Sequence, residues 1–224
     1  MNKLNKILAT LGALLMLTGT AANSMEFTVG ISANSMGAYA NVEEKLKDSG
    51  RISNEEAVLA TAFASGFAEV GSDEMMGLAL GISFAPEVAE LNRETRAIQP
   101  SGTGDSGNQI LDGKIVDLVS VYLSLPVGEG AYVKAGYIQA TLNTGESLAT
   151  GSKYENVDME GIMLAGGYEA DLGSSGMFWR AEGQYQMWDD ISVTGSEAGG
   201  TGNKNKISAE VGAVQGALSI GMKF

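Results

Sequence analysis

The last seven residues place Leu218, Ile220, Met222 and Phe224 at every second position, with Ser219, Gly221 and Lys223 between them. A period of two is the repeat of an extended strand with one apolar and one polar face. The repeat returns along the chain and restricts it to an all-β fold whose strands show unlike surfaces to their two sides. Eight stretches qualify: 26–40, 57–70, 75–85, 114–126, 131–142, 157–171, 177–190 and 208–224. The stretch 177–190 is the most regular, setting Trp179, Ala181, Gly183, Tyr185 and Met187 against Arg180, Glu182, Gln184 and Gln186. Taken alone, 57–70 also reads as a helix.

Each stretch reaches the roughly nine to eleven residues that a tilted strand needs to cross hydrocarbon. The connections alternate in length. Those at 71–73, 127–130 and 172–176 are tight and contain glycine, while 41–56, 86–112, 143–156 and 191–206 are long. An even strand number with short turns at one end and long loops at the other predicts an eight-stranded antiparallel up-and-down transmembrane β-barrel. Both termini then lie at the turn end. A soluble sandwich or lipocalin-like barrel alternates as well. Its exposed face would carry charge, whereas the non-apolar positions here are small or uncharged at Gly77, Gly81, Ser120, Ser124 and Ser219. That suits a narrow lumen. Phe27, Tyr168, Trp179 and Phe224 fall on the apolar face near the turn end, and Tyr39, Phe84 and Tyr137 towards the other. Two such groups match the aromatic belts of a membrane barrel.

Lys3 and Lys6 precede an apolar run from Ile7 to Leu17, and Ala22 and Ser24 then form an Ala-x-Ser pattern before Met25. This reads as a secretory signal peptide over 1–24 followed by a barrel domain over 25–224. Cleavage a residue or two earlier, or an uncleaved anchor, are the alternatives. The whole chain has 27 acidic and 14 basic residues for a net −13, and loss of the two leader lysines makes it −15. Such a balance gives no electrostatic footprint for nucleic acid. There is no Cys, which excludes disulfides, Cys-ligated metals and lipid attachment at a leader cysteine. There is no His either, which removes Ser-His-Asp triads, the usual zinc sites and the most common general base. No catalytic residue, metal or cofactor is expected.

Strand parity points Lys134, Glu169 and Arg180 inward on three consecutive strands near the turn end. Glu69 and Lys223 lie at similar depth, with Glu182 one step higher. Opposite charges in a narrow lumen should pair, because an isolated buried charge is costly. An eight-stranded interior is just wide enough for its own side chains or one small ligand. The expectation is a lumen plugged by polar side chains, with a conducting or gated pore as the alternative. The long connections carry Glu43, Glu44, Asp48, Glu55 and Glu56, and then Glu87, Glu90, Glu94, Asp105 and Asp112. Carboxylates suit hard cations, but no spacing follows a D-x-D-x-D-G loop. Gly-Thr-Gly at 102–104 and Gly-Gly-Thr-Gly at 199–202 join no strand to a helix, as a phosphate cradle must. Solvated loops are the simpler reading.

Several stretches are more specific: Gly77-Leu78-Ala79-Leu80-Gly81-Ile82-Ser83-Phe84-Ala85-Pro86, Tyr132-Val133-Lys134-Ala135-Gly136-Tyr137, Gly161-Ile162-Met163-Leu164-Ala165-Gly166-Gly167-Tyr168, and the terminal Phe224. With these, essentially all of 25–224 resembles the small eight-stranded outer membrane proteins of the OmpA, OmpX and OmpW-like group, often labelled porin family. The likeness is strongest to members from marine alphaproteobacteria. The resemblance implies a cell outer membrane location in a Gram-negative envelope, with contacts to lipid and lipopolysaccharide. It also implies that the barrel-assembly machinery reads the C-terminal strand. A monomer without enzymatic activity is expected, with a structural or surface-interaction role. Narrow porin-like conduction or small-ligand uptake is the alternative.

Overall fold

The computed structural model describes residues 25–45, 50, 52–72, 76–98, 107–147, 151–198 and 206–224. The leader over 1–24, Asp48, Asp105 and the glycine-containing stretches at 102–104 and 199–202 lie outside them. Eleven strands follow in order: β1 Met25–Lys45, β2 Ile52–Ser72, β3 Leu78–Ile98, β4 Gly107–Pro126, β5 Ala131–Ser147, β6 Gly151–Lys153, β7 Val157–Asp171, β8 Met177–Trp188, β9 Ile191–Thr194, β10 Ser196–Ala198 and β11 Lys206–Lys223. Eight of them pair antiparallel in the cycle β1–β2–β3–β4–β5–β7–β8–β11 and back to β1, a closed barrel. Phe27 and Phe224 exchange backbone hydrogen bonds of 3.2 and 2.8 Å at the closure. β9 continues along β11 beyond the end of β8, and β6 pairs with β10 as a separate ribbon.

All eight stretches read from the sequence are strands, including 57–70. Their loop ends run further than expected. β1 and β2 stay paired to Lys45 opposite Ile52, and β3 and β4 to Ile98 opposite Gly107. Much of 41–56 and 86–112 is therefore ladder where loop was expected. Backbone pairing satisfies these groups without regard to how strongly the side chains alternate.

The two faces change character along each strand. Near the turn end, outward residues such as Phe27, Val29, Ile31, Leu218, Ile220 and Phe224 are large, apolar and exposed. Inward residues at that level are polar: Thr28, Asn34, Glu69, Lys134, Arg180 and Ser219 are all buried. Towards the loop end the polarity reverses. Met36, Ala38, Ala40 and Val42 follow one another on the inward face of β1, while Asn41 and Glu43 face out. β11 does the same, with Ile207, Ala209, Val211 and Ala213 inside and Ser208 and Glu210 outside.

Four inward rings fill the lower lumen, and each lies over glycine on a neighbouring strand. Phe67 covers Gly30, Tyr122 covers Gly81 and Gly136, Tyr132 covers Gly167, and Phe178 covers Gly221. A β-carbon at any of these glycines would meet the ring or adjacent backbone. The glycines here provide close approach and not a special backbone angle.

The wall has a long seam between β2 and β3. β2 and β3 pair only from Gly66 opposite Phe84 down to Ser72 opposite Leu78. Above Gly66, β2 stays paired with β1 and β3 with β4, but among the described residues no further backbone pair joins β2 to β3. Pro86 sits where β3 departs and has no N–H to offer. The β3–β4 ladder is bulged between Glu87 and Ala89, and the β4–β5 ladder between Val116 and Val119, where Asp117 takes φ 54°. Bulges bend and twist a strand. A side-chain hydrogen bond crosses the seam, Thr61 Oγ1 donating to the Val88 carbonyl at 2.7 Å.

Replacing Gly81 by Ala should displace the Tyr122 ring and break the contacts it makes below. We expect about 1–3 kcal/mol lower unfolding free energy, the range for overpacking, in a urea titration of the refolded protein. A wild-type midpoint would contradict the ring-on-glycine packing.

Candidate functional site: a sealed lumen beneath an apolar cup

The six charges read from strand parity meet in one chain of ion pairs. Arg180, on β8, grips Glu69 of β2 with both terminal nitrogens, Nη1 to Oε1 at 2.7 Å and Nη2 to Oε2 at 2.6 Å. Its Nε donates to Glu169 of β7 at 2.7 Å. From Glu169 the chain runs to Lys223 at 2.6 Å. On the other side Lys134 lies 3.4 Å from Glu69 and 2.8 Å from Glu182. Three carboxylates and three cations alternate, so the set is neutral. A bidentate guanidinium–carboxylate pair is among the strongest charge-assisted contacts.

Sequence reasoning missed the aromatic half of this plug. Tyr122 donates to Glu69 at 2.8 Å and Tyr132 to Glu182 at 2.9 Å. Lys134 Nζ lies 4.5 Å from the Tyr122 ring centre, and the Arg180 guanidinium 4.9 Å from that of Phe178 and 5.1 Å from that of Phe67. Such distances fit cation–π attraction. The signal was present, since each ring has the parity of the charged cluster and faces a glycine.

Above the ions lies an uncharged polar tier. Gln186 donates to Gln215 at 2.9 Å, Gln215 to Asn34 at 3.0 Å, and Asn34 to the Phe63 carbonyl and Ser65 at 3.2 and 3.0 Å. Ser32 and Ser219 hydroxyls meet at 2.8 Å. The enclosed space between these two tiers is about 40 Å³, room for about three water molecules. Next comes a dry layer in which Met36, Leu118, Ile138 and Met163 pack with Phe63 and Trp188. The lumen is therefore polar in its lower part and apolar above it.

Over this floor a cavity of about 750 Å³ opens at the loop end. Val42, Leu59, Ile115, Leu142, Met159, Ile207 and Val211 line it, and among the described residues Glu90 is its one charged lining residue. Glu90 pairs with Lys114, its register partner on β4. The lining takes Ala57 and Leu59 from the inward face of β2 and also Val58 and Ala60 from its outward face. The space thus passes around the unpaired edge of β2. Volume and lining fit a site for a small, mostly apolar molecule. Among the described residues no group of three or more His, Cys, Asp or Glu side chains is placed to hold a metal ion.

The seven aromatics named from the sequence all sit on strand faces that point away from the lumen. Phe27, Tyr168, Trp179 and Phe224 stand near the turn end, with the Tyr168 and Trp179 ring centres 6.0 Å apart. Tyr39 stands near Tyr185, their hydroxyls 3.5 Å apart. Phe84 and Tyr137 lie lower, opposite Gly66 and Val119 and opposite Val121 and Ile162.

Replacing Arg180 by Met would leave Glu69 and Glu169 buried against too little positive charge. Breaking a buried pair this way typically costs about 3–5 kcal/mol, which chemical unfolding would register. A change under about 1 kcal/mol would mean water already reaches these groups.

No family model matches the chain, and no curated protein matches it. Solved structures do. The outer membrane protein OprG from Pseudomonas aeruginosa aligns at a TM-score of 0.54 and 10% identity, over 90% of this chain and 96% of that one. The outer membrane protease OmpT from Escherichia coli aligns at 0.43 and 8% identity, over 89% and 97%. Ail, the attachment invasion locus protein of Yersinia pestis, aligns at 0.34 and 15% identity, over 87% and 99%. What the chain shares with the first of these is the fold, that of an outer membrane β-barrel.

Proposed function

We propose that this is an integral outer membrane barrel that takes small apolar molecules into its loop-end cup and releases them sideways through the β2–β3 seam into the bilayer. The seam carries the reading. From Phe27 to Tyr39 the outward face of β1 spans about 30 Å at ordinary strand rise and tilt. Gly66 lies four residues above Val70, the partner of Phe27, about 10 Å up on the same measure. The edges therefore come apart within this span, where the outside is apolar. Unpaired backbone groups facing hydrocarbon are prohibitive, and irregular backbone at that depth persists where it lines a cavity. Here the cavity is the cup.

The wall supports the membrane assignment on its own. Exposed Ile31, Val58, Phe84, Leu123, Val133, Leu164, Trp179 and Ile220, one from each barrel strand, encircle the barrel, an apolar surface of the kind that marks a membrane contact. Lipid and lipopolysaccharide would surround it. Downward passage is blocked twice, by the dry floor and by the ion-pair plug. This favours lateral release over a pore or a purely structural role. Phe224 hydrogen-bonds to Phe27 at the closing pair, which suits recognition of that terminus by the barrel-assembly machinery during closure.

The chain has no Cys, so a staple across the seam can be tested cleanly. Thr61→Cys with Val88→Cys, oxidised in vesicles, should slow uptake of an apolar dye about tenfold or more, and reductant should restore it. Unchanged uptake would exclude the seam as the exit. In planar bilayers the unmodified barrel should show no steady current, and Arg180→Ala with Lys134→Ala should stay closed because the apolar floor remains. Removal of Phe224 should slow assembly into vesicles by the purified machinery more than it lowers the stability of barrels already folded; equal effects would argue against a recognition role.

A further inference from the structure

We infer that the cup selects amphiphilic cations, an apolar body carrying a positive head, over neutral and anionic homologues; this rests on the apolar cup proposed above. Among the described residues the lining contains no cation and one carboxylate, Glu90, which Lys114 already pairs from the outer face. Acidic residues stand at the mouth on the inward face. Glu55 pairs in register with Val42, which lines the cup, and Glu44 with Ile207, which does too. Directly opposed residues of an antiparallel pair share a face, so both carboxylates rise from the rim of an apolar well.

The wider field has the same sign. The loop-end segments 41–56, 86–118, 141–160 and 189–210 hold nineteen of the chain's acidic residues and nine of its basic ones. Charge of one sign around a low-dielectric cleft concentrates ligands of the opposite sign and excludes like charge. A cationic amphiphile would bury its tail against Leu59, Leu142 and Met159 and keep its head at the depth of Glu44 and Glu55. A carboxylate of the same length would have to desolvate beside those like charges.

Trp188 packs against the cup floor and can report occupancy. Trp179 is the only other tryptophan, so Trp179→Phe leaves one reporter. In nanodiscs of zwitterionic lipid, this variant is titrated with ω-bromoalkyl trimethylammonium, alcohol and carboxylate of one chain length, and quenching of Trp188 is followed. The ammonium should half-quench at a concentration about tenfold below the carboxylate, with the alcohol between them. Glu55→Lys should close most of that gap, and Glu55→Gln about half of it, with the alcohol moving least. Partition into the bilayer is common to all variants and cancels in the comparison. Carboxylate quenching equal to or stronger than that of the ammonium overturns the charge selection while leaving the cup intact. A gap unmoved by both Glu55 variants overturns the role of the rim. Absence of saturable quenching by all three probes overturns the cup itself.

Discussion

The demand that every backbone amide and carbonyl find a partner governs this molecule. A wall faced on the outside by Phe27, Ile31, Leu218 and Ile220 leaves little water near its backbone, so a sheet of this kind must close on itself. β11 meets β1 from Thr28 opposite Lys223 to Lys45 opposite Lys206, the longest uninterrupted closure such strands could make. Against that background the β2–β3 seam is informative. Pro86, two bulges and the left-handed Asp117 cluster at about the height where pairing stops. The ladder ends there because the sequence removes a donor and twists the strands apart.

Closure with eight strands then dictates how the interior is filled. The bore is narrow, so large rings fit only where the facing wall is bare, and each of the four lower rings lies on glycine. The rings exclude water around Glu69 and Arg180, which would make those charges expensive if they stood alone. They stand in a neutral alternating chain. Replacing such a chain by apolar residues can be neutral or better for stability, so its presence is no sign of strength. Its distinct contribution is a lock that ties β2, β5, β7, β8 and β11 together across the bore. The dry layer above acts in series with it, and either alone would close the lumen.

Much of this was legible in the chain. Alternation located the eight barrel strands, and parity alone brought Glu69, Lys134, Glu169, Arg180, Glu182 and Lys223 to one place. Tyr122 and Tyr132 were equally inward by parity, yet an aromatic ring on an alternating strand reads first as wall. The strand extensions read as loops in the sequence because polar residues such as Glu43, Asn54 and Glu56 interrupt the outward apolar run. They do so because the outside there meets water, while the ladder simply continues. The seam left almost no trace beyond Pro86, since pairing is a property of two strands and no single strand encodes it.

The reversal of polarity along the strands gives the cup its position. On β1 the inward face turns apolar at Met36, while above Ser35 the outward face holds Gly37 and Tyr39 and turns polar again at Asn41. On β11 the inward face is apolar from Ala213 towards the loop end, and Val214 still faces out. The two switches are offset, which leaves a band of wall that is apolar on both sides. A molecule resting in the cup at that height and one dissolved in lipid beside it would meet nearly the same surroundings. Transfer between them then requires little desolvation, and the main obstacle is the backbone itself. That is the height at which β2 lacks its partner.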